Sequence, residues 1–351
     1  MKAIVFHGPG DFRFESVPDA SLRDPSDALV RVTRTAICGS DLHLWHGTGL
    51  PLVETGFAVG HEFVGVVDDV GSGVRGIRKG DRVLASCTTG CGICAPCREQ
   101  LHSGCTVTTA NGAQAVFGFS TALPGAQAEA VRVPFADVNL FRIPDALSDE
   151  QALFLTDILP TGTMGAELAE VGPGDVVVVF GCGPVGAFAQ RAAQLRGAAR
   201  VLAIDLDASR LARAAERGCE VINPRTDDVG ARVLAATGGR GADAVIEAIG
   251  RPELIQQALQ LARPGGRVAV IGLCMAPVEI LPVVLFVKNL TLRSGLVNPQ
   301  RYVTQLLAAI EAGRLDPTEI ISHRLPLADG VRGYELFARH EDDAMKVVLT
   351  P

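Results

Sequence analysis

The sequence predicts an α/β protein in which a β-rich region precedes a doubly wound parallel sheet. Up to about Leu147, short β-rich runs are separated by Gly, Pro and Asp turns, a pattern typical of antiparallel β structure. From Gly174 onward, nearly continuous apolar runs alternate with amphipathic helical segments. Because strands that are covered on both faces read as apolar runs, this alternation predicts a parallel sheet flanked by helices.

The size and composition of the chain fit two compact domains. It has 351 residues, of which 48% are hydrophobic and 20% charged, and single cores stop growing at about 250–300 residues. The net charge of −7 argues against a nucleic-acid surface. No apolar run reaches the about 18 residues of a membrane helix, and the first residues lack a secretory pattern. We therefore expect a cytoplasmic protein with neither nucleic-acid nor membrane partners.

In the β-rich region the strongest strand predictions are Ala28–Ala36 and Glu62–Val70, followed after a glycine-rich turn by Asp81–Ala85. A helix is predicted to begin after Ser148 and to run toward Leu155, because a Ser followed by two acidic residues is a common helix start.

The α/β region is predicted to alternate strands with helices. The predicted strands are Asp175–Phe180, Arg200–Asp205, Ala242–Glu247, Arg267–Gly272 and Leu290–Ser294. The predicted helices are Val185–Arg196 and Ala208–Arg217, the second with Asp207 as its N-cap. Toward the carboxyl end we predict helices over Pro299–Ala312 and Leu327–Arg339 and a strand over Met345–Leu349.

A glycine-rich turn after the first α/β strand matches the dinucleotide fingerprint G-x-G-x-x-G. Its residues are Gly181, Cys182, Gly183, Pro184, Val185 and Gly186. The first glycine permits a tight turn, the second lets the backbone approach a pyrophosphate, and the third lets the helix pack on the strand. The pyrophosphate then lies at the positive end of that helix.

The residue that ends the next strand indicates which dinucleotide is bound. Asp205 can accept two hydrogen bonds from a ribose diol, and its charge would repel a 2′-phosphate. Arg210 is the cofactor-site residue that could favour a 2′-phosphate, but at a helix start we expect it to face solvent. The sequence therefore predicts NAD, with NADP less favoured.

Five of the nine cysteines fall between residues 87 and 105. Four of them have the spacing Cys-x2-Cys-x2-Cys-x7-Cys, which can close a tetrahedron of thiolates around zinc: Cys91, Cys94, Cys97 and Cys105. An iron–sulfur cluster is the chemical alternative, because it also takes four cysteine thiolates. A closed shell leaves no position for a substrate, so this loop predicts a structural metal site.

Two shorter motifs predict a second metal site that is open to substrate. Cys38 lies in Cys-Gly-Ser-Asp-Leu-His at 38–43, and His61 lies in Gly-His-Glu at 60–62. A catalytic zinc has three protein ligands and one open position. Sequence spacing alone neither joins these two residues nor supplies a third ligand.

In combination, these motifs resemble the zinc-dependent medium-chain dehydrogenase/reductase family, of the alcohol dehydrogenase type. The landmarks follow the family's order along essentially the whole chain. The resemblance implies a GroES-like catalytic domain at 1–146 with the structural zinc loop at 87–105. It also implies a Rossmann NAD-binding domain at 147–295 and a segment at 296–351 that returns to the catalytic domain.

The resemblance implies two zinc ions per chain, one catalytic and one structural. Cys38 and His61 correspond to two ligands of the catalytic zinc. The third ligand of typical members is a cysteine, and this chain has Asp157 there, as in a formaldehyde-dehydrogenase-like subset; a carboxylate oxygen is an ordinary zinc ligand. By the same resemblance, Glu62 lies beside the zinc and could ligate it in one state, and Asp41 orients His61.

The resemblance further implies a proton relay and several contacts to cofactor and substrate. Zinc lowers the pKa of the alcohol, Ser40 takes its proton, and the proton passes through the cofactor ribose to His43 while hydride moves to the nicotinamide. Two further cofactor positions correspond to Thr161, at the nicotinamide, and Lys346, near the pyrophosphate. The substrate pocket is assigned to Cys87, Phe119 and Trp45, although Trp45 is equally well explained as a core residue.

The sequence therefore predicts a zinc-dependent alcohol dehydrogenase that transfers hydride between an alcohol, or the matching carbonyl, and NAD(H). Within the same family, the alternatives are a polyol dehydrogenase and a thiol-adduct formaldehyde dehydrogenase. A non-catalytic dinucleotide-binding sensor on the same fold is the alternative from another class, because fold alone does not fix function. Family resemblance also implies a homodimer or a homotetramer.

Overall fold

A computed structural model describes residues 1–48, 54–109 and 115–351. The chain divides into two compact units, the first formed by Met1–Pro160 with Val297–Pro351 and the second by Thr161–Leu296. Residues 147–160, which the sequence analysis assigned to the second domain, belong to the first unit in this division. Asp149 shows why, because its carboxylate accepts hydrogen bonds from Thr33 at 2.6 Å and Arg82 at 2.7 Å.

The strands of the described residues, numbered along the chain, are β1 Lys2–Gly8, β2 Asp11–Ser16, β3 Ala28–Ala36, β4 Phe57–Ala58, β5 Glu62–Val70, β6 Arg82–Ala85, β7 Ala130–Val133, β8 Leu140–Arg142, β9 Val176–Phe180, β10 Arg200–Ile204, β11 Glu220–Ile222, β12 Ala242–Glu247, β13 Ala262–Val270, β14 Thr291–Ser294, β15 His323–Pro326 and β16 Val347–Thr350.

The α-helices of the same residues are α1 Asp41–His46, α2 Ala95–Arg98, α3 Ala136–Asn139, α4 Asp149–Leu153, α5 Ile158–Leu168, α6 Pro184–Leu195, α7 Ala208–Glu216, α8 Val229–Ala236, α9 Pro252–Leu261, α10 Pro282–Lys288, α11 Val303–Glu311 and α12 Gly330–Arg339. Short 3-10 helices include Phe154–Thr156, Pro299–Arg301 and Leu327–Asp329. None of the helices in the described ranges has the length and apolar character needed to cross a membrane.

The first unit is built on two sheets. One has the order β2-β1-β4, and the other has the order β15-β16-β3-β5-β6-β8, with β7 also paired to β3. Strands β3 and β5 pair antiparallel from Ala28 opposite Val70 to Ala36 opposite Glu62. The carboxyl end of β3 therefore lies beside the amino end of β5, which decides where the candidate site forms.

The second unit is a doubly wound parallel sheet with the strand order β11-β10-β9-β12-β13-β14. Every residue of Val176–Phe180 in β9 and of Ala242–Glu247 in β12 is buried, as expected for central strands covered on both faces. Strands β10 and β11 are added on one side of β9, and strands β12 to β14 are added on its other side. Doubly wound sheets bind ligands at such a switch point in strand order. The predicted fold class is confirmed.

The helices and strands that were predicted are present, and several of them differ from the predictions in where they begin and end. Strands β3, β5 and β12 have the predicted limits, and Ser148 caps α4 through a reciprocal pair of hydrogen bonds with Gln151. Strand β13 begins at Ala262 rather than Arg267, because Ala262 already pairs with Ala242 before the register shifts. The helix predicted over Pro299–Ala312 is a 3-10 turn followed by α11.

Candidate functional site

Four side chains of the first unit meet in one buried cluster: Cys38, His61, Glu62 and Asp157. Each offers one ligand atom, and these atoms all lie within 4.8 Å of one another. The cluster joins residues from distant parts of the sequence, since Cys38 and Asp157 are 119 positions apart. We refer to these four residues as the mixed-ligand cluster.

The pairing of β3 with β5 brings the first two members together. Ala36 lies opposite Glu62 in that ladder, so Cys38, just beyond β3, comes close to His61, just before β5. The residue before His61 has to be glycine: Gly60 has φ +89°, and a Cβ there would lie 2.4 Å from the Gln127 side chain.

The 3-10 turn Phe154–Thr156 supplies the remaining ligand, because Asp157 follows directly after it. Backbone hydrogen bonding anchors this turn in the first unit, where the N–H of Cys87 donates to the carbonyl of Thr156 at 2.9 Å.

The distances within the mixed-ligand cluster fit a tetrahedral zinc ion. With bonds of about 2.0–2.3 Å, the ligand atoms of such an ion lie about 3.3–3.8 Å apart. Oδ2 of Asp157 is 3.4 Å from Sγ of Cys38 and 3.2 Å from Nε2 of His61. Thiolate, imidazole and carboxylate form a common donor set for zinc, so these residues could hold the metal that the sequence predicts.

The pKa values of Cys38 and His61 are both raised, so the two proposed ligands tend to keep their protons. Burial, with the neighbouring Asp157, raises the pKa of the Cys38 thiol to about 11. Burial alone would lower the pKa of His61, but Asp41 and Cys38 outweigh it, and the pKa lies well above its usual value. Metal binding at neutral pH therefore has to displace protons from this cluster.

Glu62 has a cationic partner of its own. Its Oε1 accepts a hydrogen bond from Nζ of Lys346 at 2.6 Å, and both side chains are fully buried. Burial raises the pKa of Glu62 to about 7 against the lowering effect of Lys346. Its other oxygen, Oε2, is buried without a hydrogen-bond partner. Glu62 therefore has a free acceptor inside the cluster, while Lys346 offsets its charge.

Asp41, Ser40 and His43 surround the cluster from the segment that follows Cys38. Oδ1 of Asp41 lies 3.2 Å from Nδ1 of His61, and Oγ of Ser40 lies 3.2 Å from Nε2 of the same ring. His43 lies farther out, where its Nδ1 is 3.3 Å from the Thr48 hydroxyl. Partial burial lowers the pKa of His43, which favours a neutral imidazole able to accept a proton.

The second cysteine group of the sequence also converges. The ligand sulfurs of the four loop cysteines lie within 4.8 Å of one another, and Sγ of Cys94 is 3.8 Å from Sγ of Cys105. This is the edge of about 3.8 Å expected for four thiolates around zinc. Backbone N–H groups of Cys91 and Thr108 point at the Cys105 sulfur, at 3.3 and 3.5 Å. Burial opposes ionisation of the Cys105 thiol, but these hydrogen bonds outweigh it and its pKa is lowered, which favours a thiolate at this position.

In the second unit, the glycine fingerprint forms the turn between β9 and α6. Gly181 has φ +95°, and a Cβ on Gly186 would lie 2.0 Å from the Gly181 carbonyl oxygen. Both positions therefore require glycine. Asp205 follows β10, where its carboxylate accepts hydrogen bonds from the N–H of Cys182 at 2.7 Å and of Asp207 at 2.9 Å. The turn and the acidic residue thus belong to one hydrogen-bonded unit.

Comparison with known proteins places the chain in a family. A zinc-binding dehydrogenase model matches residues 184–312, and an alcohol dehydrogenase GroES-like domain model matches residues 24–145. The uncharacterized zinc-type alcohol dehydrogenase-like protein AdhB of Bacillus subtilis is 36% identical, with 100% of both chains covered. The chain belongs to the zinc-dependent medium-chain dehydrogenase/reductase family.

One further sequence relative and one solved structure support the same family. A probable zinc-binding alcohol dehydrogenase of Mycobacterium tuberculosis is 37% identical, with 100% of this chain and 89% of the relative covered. The structure of the alcohol dehydrogenase TADH from Thermus sp. ATN1 matches with a TM-score of 0.93 and 42% identity, covering 100% of this chain and 99% of that one. As a zinc-dependent medium-chain dehydrogenase/reductase, the protein is an oxidoreductase of small molecules.

Two residues that the resemblance assigned to the cofactor or the pocket lie elsewhere. Lys346 was expected beside the pyrophosphate, but its ammonium is buried between Glu62 and the carbonyl of Ile37, 2.9 Å away. Trp45 was a candidate pocket wall, but its ring stacks on Tyr334 with 5.8 Å between centroids and an angle of 8°. Core packing therefore explains Trp45.

Arg210 also differs from the expectation, because its side chain is only 14% exposed. Its Nη1 lies 3.5 Å from where a Cβ on Gly183 would be, so the guanidinium lies along the fingerprint turn rather than in solvent. Thr161, the first residue of the second unit, is buried.

The remaining pocket candidates lie near the mixed-ligand cluster. The Phe119 ring is 5.7 Å from the His61 ring, measured between centroids. Cys87 is buried, and burial together with the charge of Asp157 raises the pKa of its thiol well above the usual value. Cys87 therefore presents a neutral thiol to the cluster.

Two residues that were not predicted for the site, Tyr334 and Gln127, lie behind Asp41. The Tyr334 hydroxyl is 3.2 Å from Oδ2 of Asp41 and 2.8 Å from Oε1 of Gln127. Neither residue belongs to a motif, and Tyr334 is 293 positions from Asp41. The chain has only two tyrosines, and this rarity is the one sequence signal that could have drawn attention to Tyr334.

Proposed function

We propose that the protein is an NAD-dependent zinc alcohol dehydrogenase that interconverts an alcohol and its carbonyl. The observation that carries the proposal is the convergence of Cys38, His61 and Asp157 at distances that fit zinc. A bound zinc would supply a Lewis acid that makes the alcohol proton easier to remove. Because three protein ligands leave one position open, the same set can admit a substrate oxygen.

The chain's own residues then have distinct roles. Ser40 lies next to the ligand ring of His61, where its hydroxyl can accept a proton from the alcohol. His43, half-buried with a lowered pKa, can receive that proton as a neutral base. Phe119 and Cys87 line the space beside the ligands and exclude water from it. In the second unit, the amino end of α6 and its glycine turn bind the pyrophosphate.

The preference for NAD rests on Asp205. Two backbone N–H groups hold its carboxylate at the end of β10, and each oxygen keeps a lone pair for a ribose hydroxyl. The same negative charge would repel a 2′-phosphate. Arg210 lies close to Gly183 and acts in the opposite sense, so it limits how strict the preference is.

A substrate panel tests the activity and separates the alternatives within the family. Purified protein is assayed with NAD or NADP on short alcohols, polyols such as sorbitol, and hydroxymethyl thiols, before and after removal of zinc. We expect oxidation with NAD that stops on zinc removal and returns when zinc is added back. Activity that survives complete zinc removal contradicts the proposal, and tight NAD binding without any turnover favours the sensor.

A matched pair of variants locates the activity at the mixed-ligand cluster. Cys38→Ser removes a proposed ligand and should abolish turnover. Cys274→Ser removes a thiol outside both cysteine-containing clusters, where the sulfur donates to the carbonyl of Ala276 at 3.4 Å, and should leave turnover unchanged. If both variants are equally active, the open metal site lies elsewhere.

We also propose that the protein is a homodimer joined through its second unit, or a homotetramer built from such dimers. Strand β14 is at one end of its sheet, and the preceding segment exposes four large apolar side chains: Leu281 at 61%, Val283 at 58%, Phe286 at 82% and Val287 at 67%. Exposed apolar patches and unpaired strand edges favour association, and a twofold axis pairs identical edges.

Analytical ultracentrifugation tests this assembly. The unmodified protein should sediment as a dimer or tetramer, and Phe286→Glu should shift it toward a smaller species. Leu234→Glu, at a side chain that is 47% exposed on α8 of the same unit, is the control and should not change the size. A monomeric unmodified protein rules the assembly out.

A further inference from the structure

We infer that Tyr334, on helix α12, is a positioning residue for the catalytic metal ligands and acts through Asp41. The inference rests on the proposal that Cys38, His61 and Asp157 hold zinc. It adds to that proposal a residue that touches none of the ligands directly.

Asp41 contacts two of the proposed ligands, one with each carboxylate oxygen. Oδ1 lies 3.2 Å from Nδ1 of His61, and neither atom has another polar partner in the described residues. Oδ2 accepts a hydrogen bond from the backbone N–H of Cys38 at 3.0 Å. A small rotation of this buried carboxylate therefore displaces the imidazole and the Cys38 backbone together. Outer partners of this kind commonly control metal affinity.

The Tyr334 hydroxyl restrains the rotation of the Asp41 carboxylate. Its hydroxyl lies 3.2 Å from Oδ2 of Asp41 and 2.8 Å from Oε1 of Gln127, so its one proton is shared between two acceptors. Gln127 is held in turn, because its amide nitrogen donates to the carbonyl of Ala36 at 3.3 Å. All of these groups are buried, and a buried carboxylate that loses a hydrogen bond has no water to replace it.

The tyrosine ring is itself held in place by its surroundings. Trp45 stacks on it, and Phe12 packs edge-on with 4.6 Å between ring centroids. Helix α12 approaches the strands closely because Gly330 and Gly333 have no side chain: a Cβ would lie 2.2 Å and 3.0 Å from the nearest isoleucine atoms. The hydroxyl is thus aimed at Asp41 by a tightly packed ring.

The first test is Tyr334→Phe, which removes the hydroxyl and keeps the ring. Zinc-loaded protein is mixed with a chromophoric chelator, and release is followed separately for the catalytic and structural ions. We expect the catalytic zinc to leave about two- to tenfold faster, the effect of one net hydrogen bond, while the four-cysteine zinc leaves at its normal rate. Trp45→Phe, which loosens the ring but keeps the hydroxyl, should lower Tm and speed the release of the catalytic zinc less than Tyr334→Phe does.

Cobalt substitution supplies a readout that a merely structural role does not change. Cobalt bound by the proposed ligands would give a charge-transfer band from the Cys38 thiolate and ligand-field bands that are sensitive to geometry. Tyr334→Phe should shift these bands and leave those of the four-thiolate site unchanged. Asp41→Asn gives the second half of a double-mutant cycle: if Tyr334 acts through Asp41, its effect should largely vanish in the Asp41→Asn background.

The outcomes separate this inference from the function it rests on. If the unmodified protein holds zinc only at the four-cysteine loop, the proposed catalytic site fails. If both zinc ions are present but Tyr334→Phe has the normal release rate and normal cobalt bands, only the role of Tyr334 is overturned. Additive effects of Tyr334→Phe and Asp41→Asn also overturn it, because the two residues would then act independently.

Discussion

Sγ of Cys38 and Oδ2 of Asp157 lie 3.4 Å apart, although 119 positions separate the two residues in the chain. No hydrophobic contact explains a buried thiol next to a buried carboxylate. Burial, and after it the charge of Asp157, raises the pKa of the Cys38 thiol to about 11, so ionising this thiol has a cost. A divalent cation removes this cost, because it favours both anions. This supports the proposal that the two residues are ligands of one metal ion.

The first prediction concerns Asp157 itself. Asp157→Ala should abolish turnover and lose the catalytic zinc, yet keep the zinc of the four-cysteine loop and a normal Tm of the second unit. Asp157→Cys restores a thiolate ligand and should retain zinc. Zinc content by elemental analysis, measured beside activity, checks both variants. An active Asp157→Ala protein would show that another residue is the third ligand.

The second prediction separates the two metal sites. Cys97→Ser opens the closed thiolate shell, so the protein should lose its structural zinc and unfold at a lower temperature, because metal binding there contributes directly to folding. Calorimetry with zinc analysis measures both quantities, and Cys274→Ser is again the matched control. A Cys97→Ser protein with normal Tm and reduced turnover would mean that the roles of the two sites are reversed.

The third prediction concerns cofactor choice. Asp205→Asn keeps an oxygen for the N–H of Cys182 but removes the negative charge, so kcat/KM should fall with NAD and rise with NADP. Asp228→Asn is the control, because asparagine also caps a helix well and Asp228 caps α8 of the same unit through the N–H of Ala231. The ratio of the two kcat/KM values is the measurement. A ratio unchanged by Asp205→Asn removes this residue from the ribose.

These predictions depend unequally on the sequence. The local motifs already contained the four-cysteine loop and the glycine turn, because their residues are close in the chain. The mixed-ligand cluster was different: spacing gave Cys38 and His61 as separate candidates, and only family resemblance pointed to Asp157. Ala36 pairs with Glu62, and this pairing brings the ends of β3 and β5 together. The sequence does not reveal which strand ends become neighbours.

The residues that were misplaced or missed share one physical cause. Lys346 directly precedes β16, and its distance in sequence from Glu62 gave no sign that the two side chains form a buried ion pair. Trp45 and Tyr334 meet because α12 packs on α1, a contact between segments far apart in the chain. Motif reasoning finds functional groups, whereas the packing of distant elements decides which groups support them.

The last prediction tests how residues 147–160 are held in the first unit. Hydrogen bonds from Thr33 and Arg82 hold Asp149, which is 24% exposed, at the start of α4. Burial would raise the pKa of Asp149, but these two hydrogen bonds outweigh it and the pKa is lowered. A lowered pKa in the folded state means that the carboxylate stabilises the fold above its unfolded pKa of about 3.9. That contribution is lost as the pH falls through the folded pKa.

Asp149→Asn should therefore lower the free energy of unfolding at pH 7 by about 1 kcal/mol, the usual range for a partly buried charged hydrogen bond. Below about pH 4 the difference from the unmodified protein should shrink, because the native carboxyl is then protonating as well. Urea unfolding at pH 7 and below pH ~4 measures this difference in the free energy of unfolding. Asp145→Asn, at an exposed position, serves as the control. A difference that stays constant with pH would show that Asp149 contributes through its shape and not through its charge.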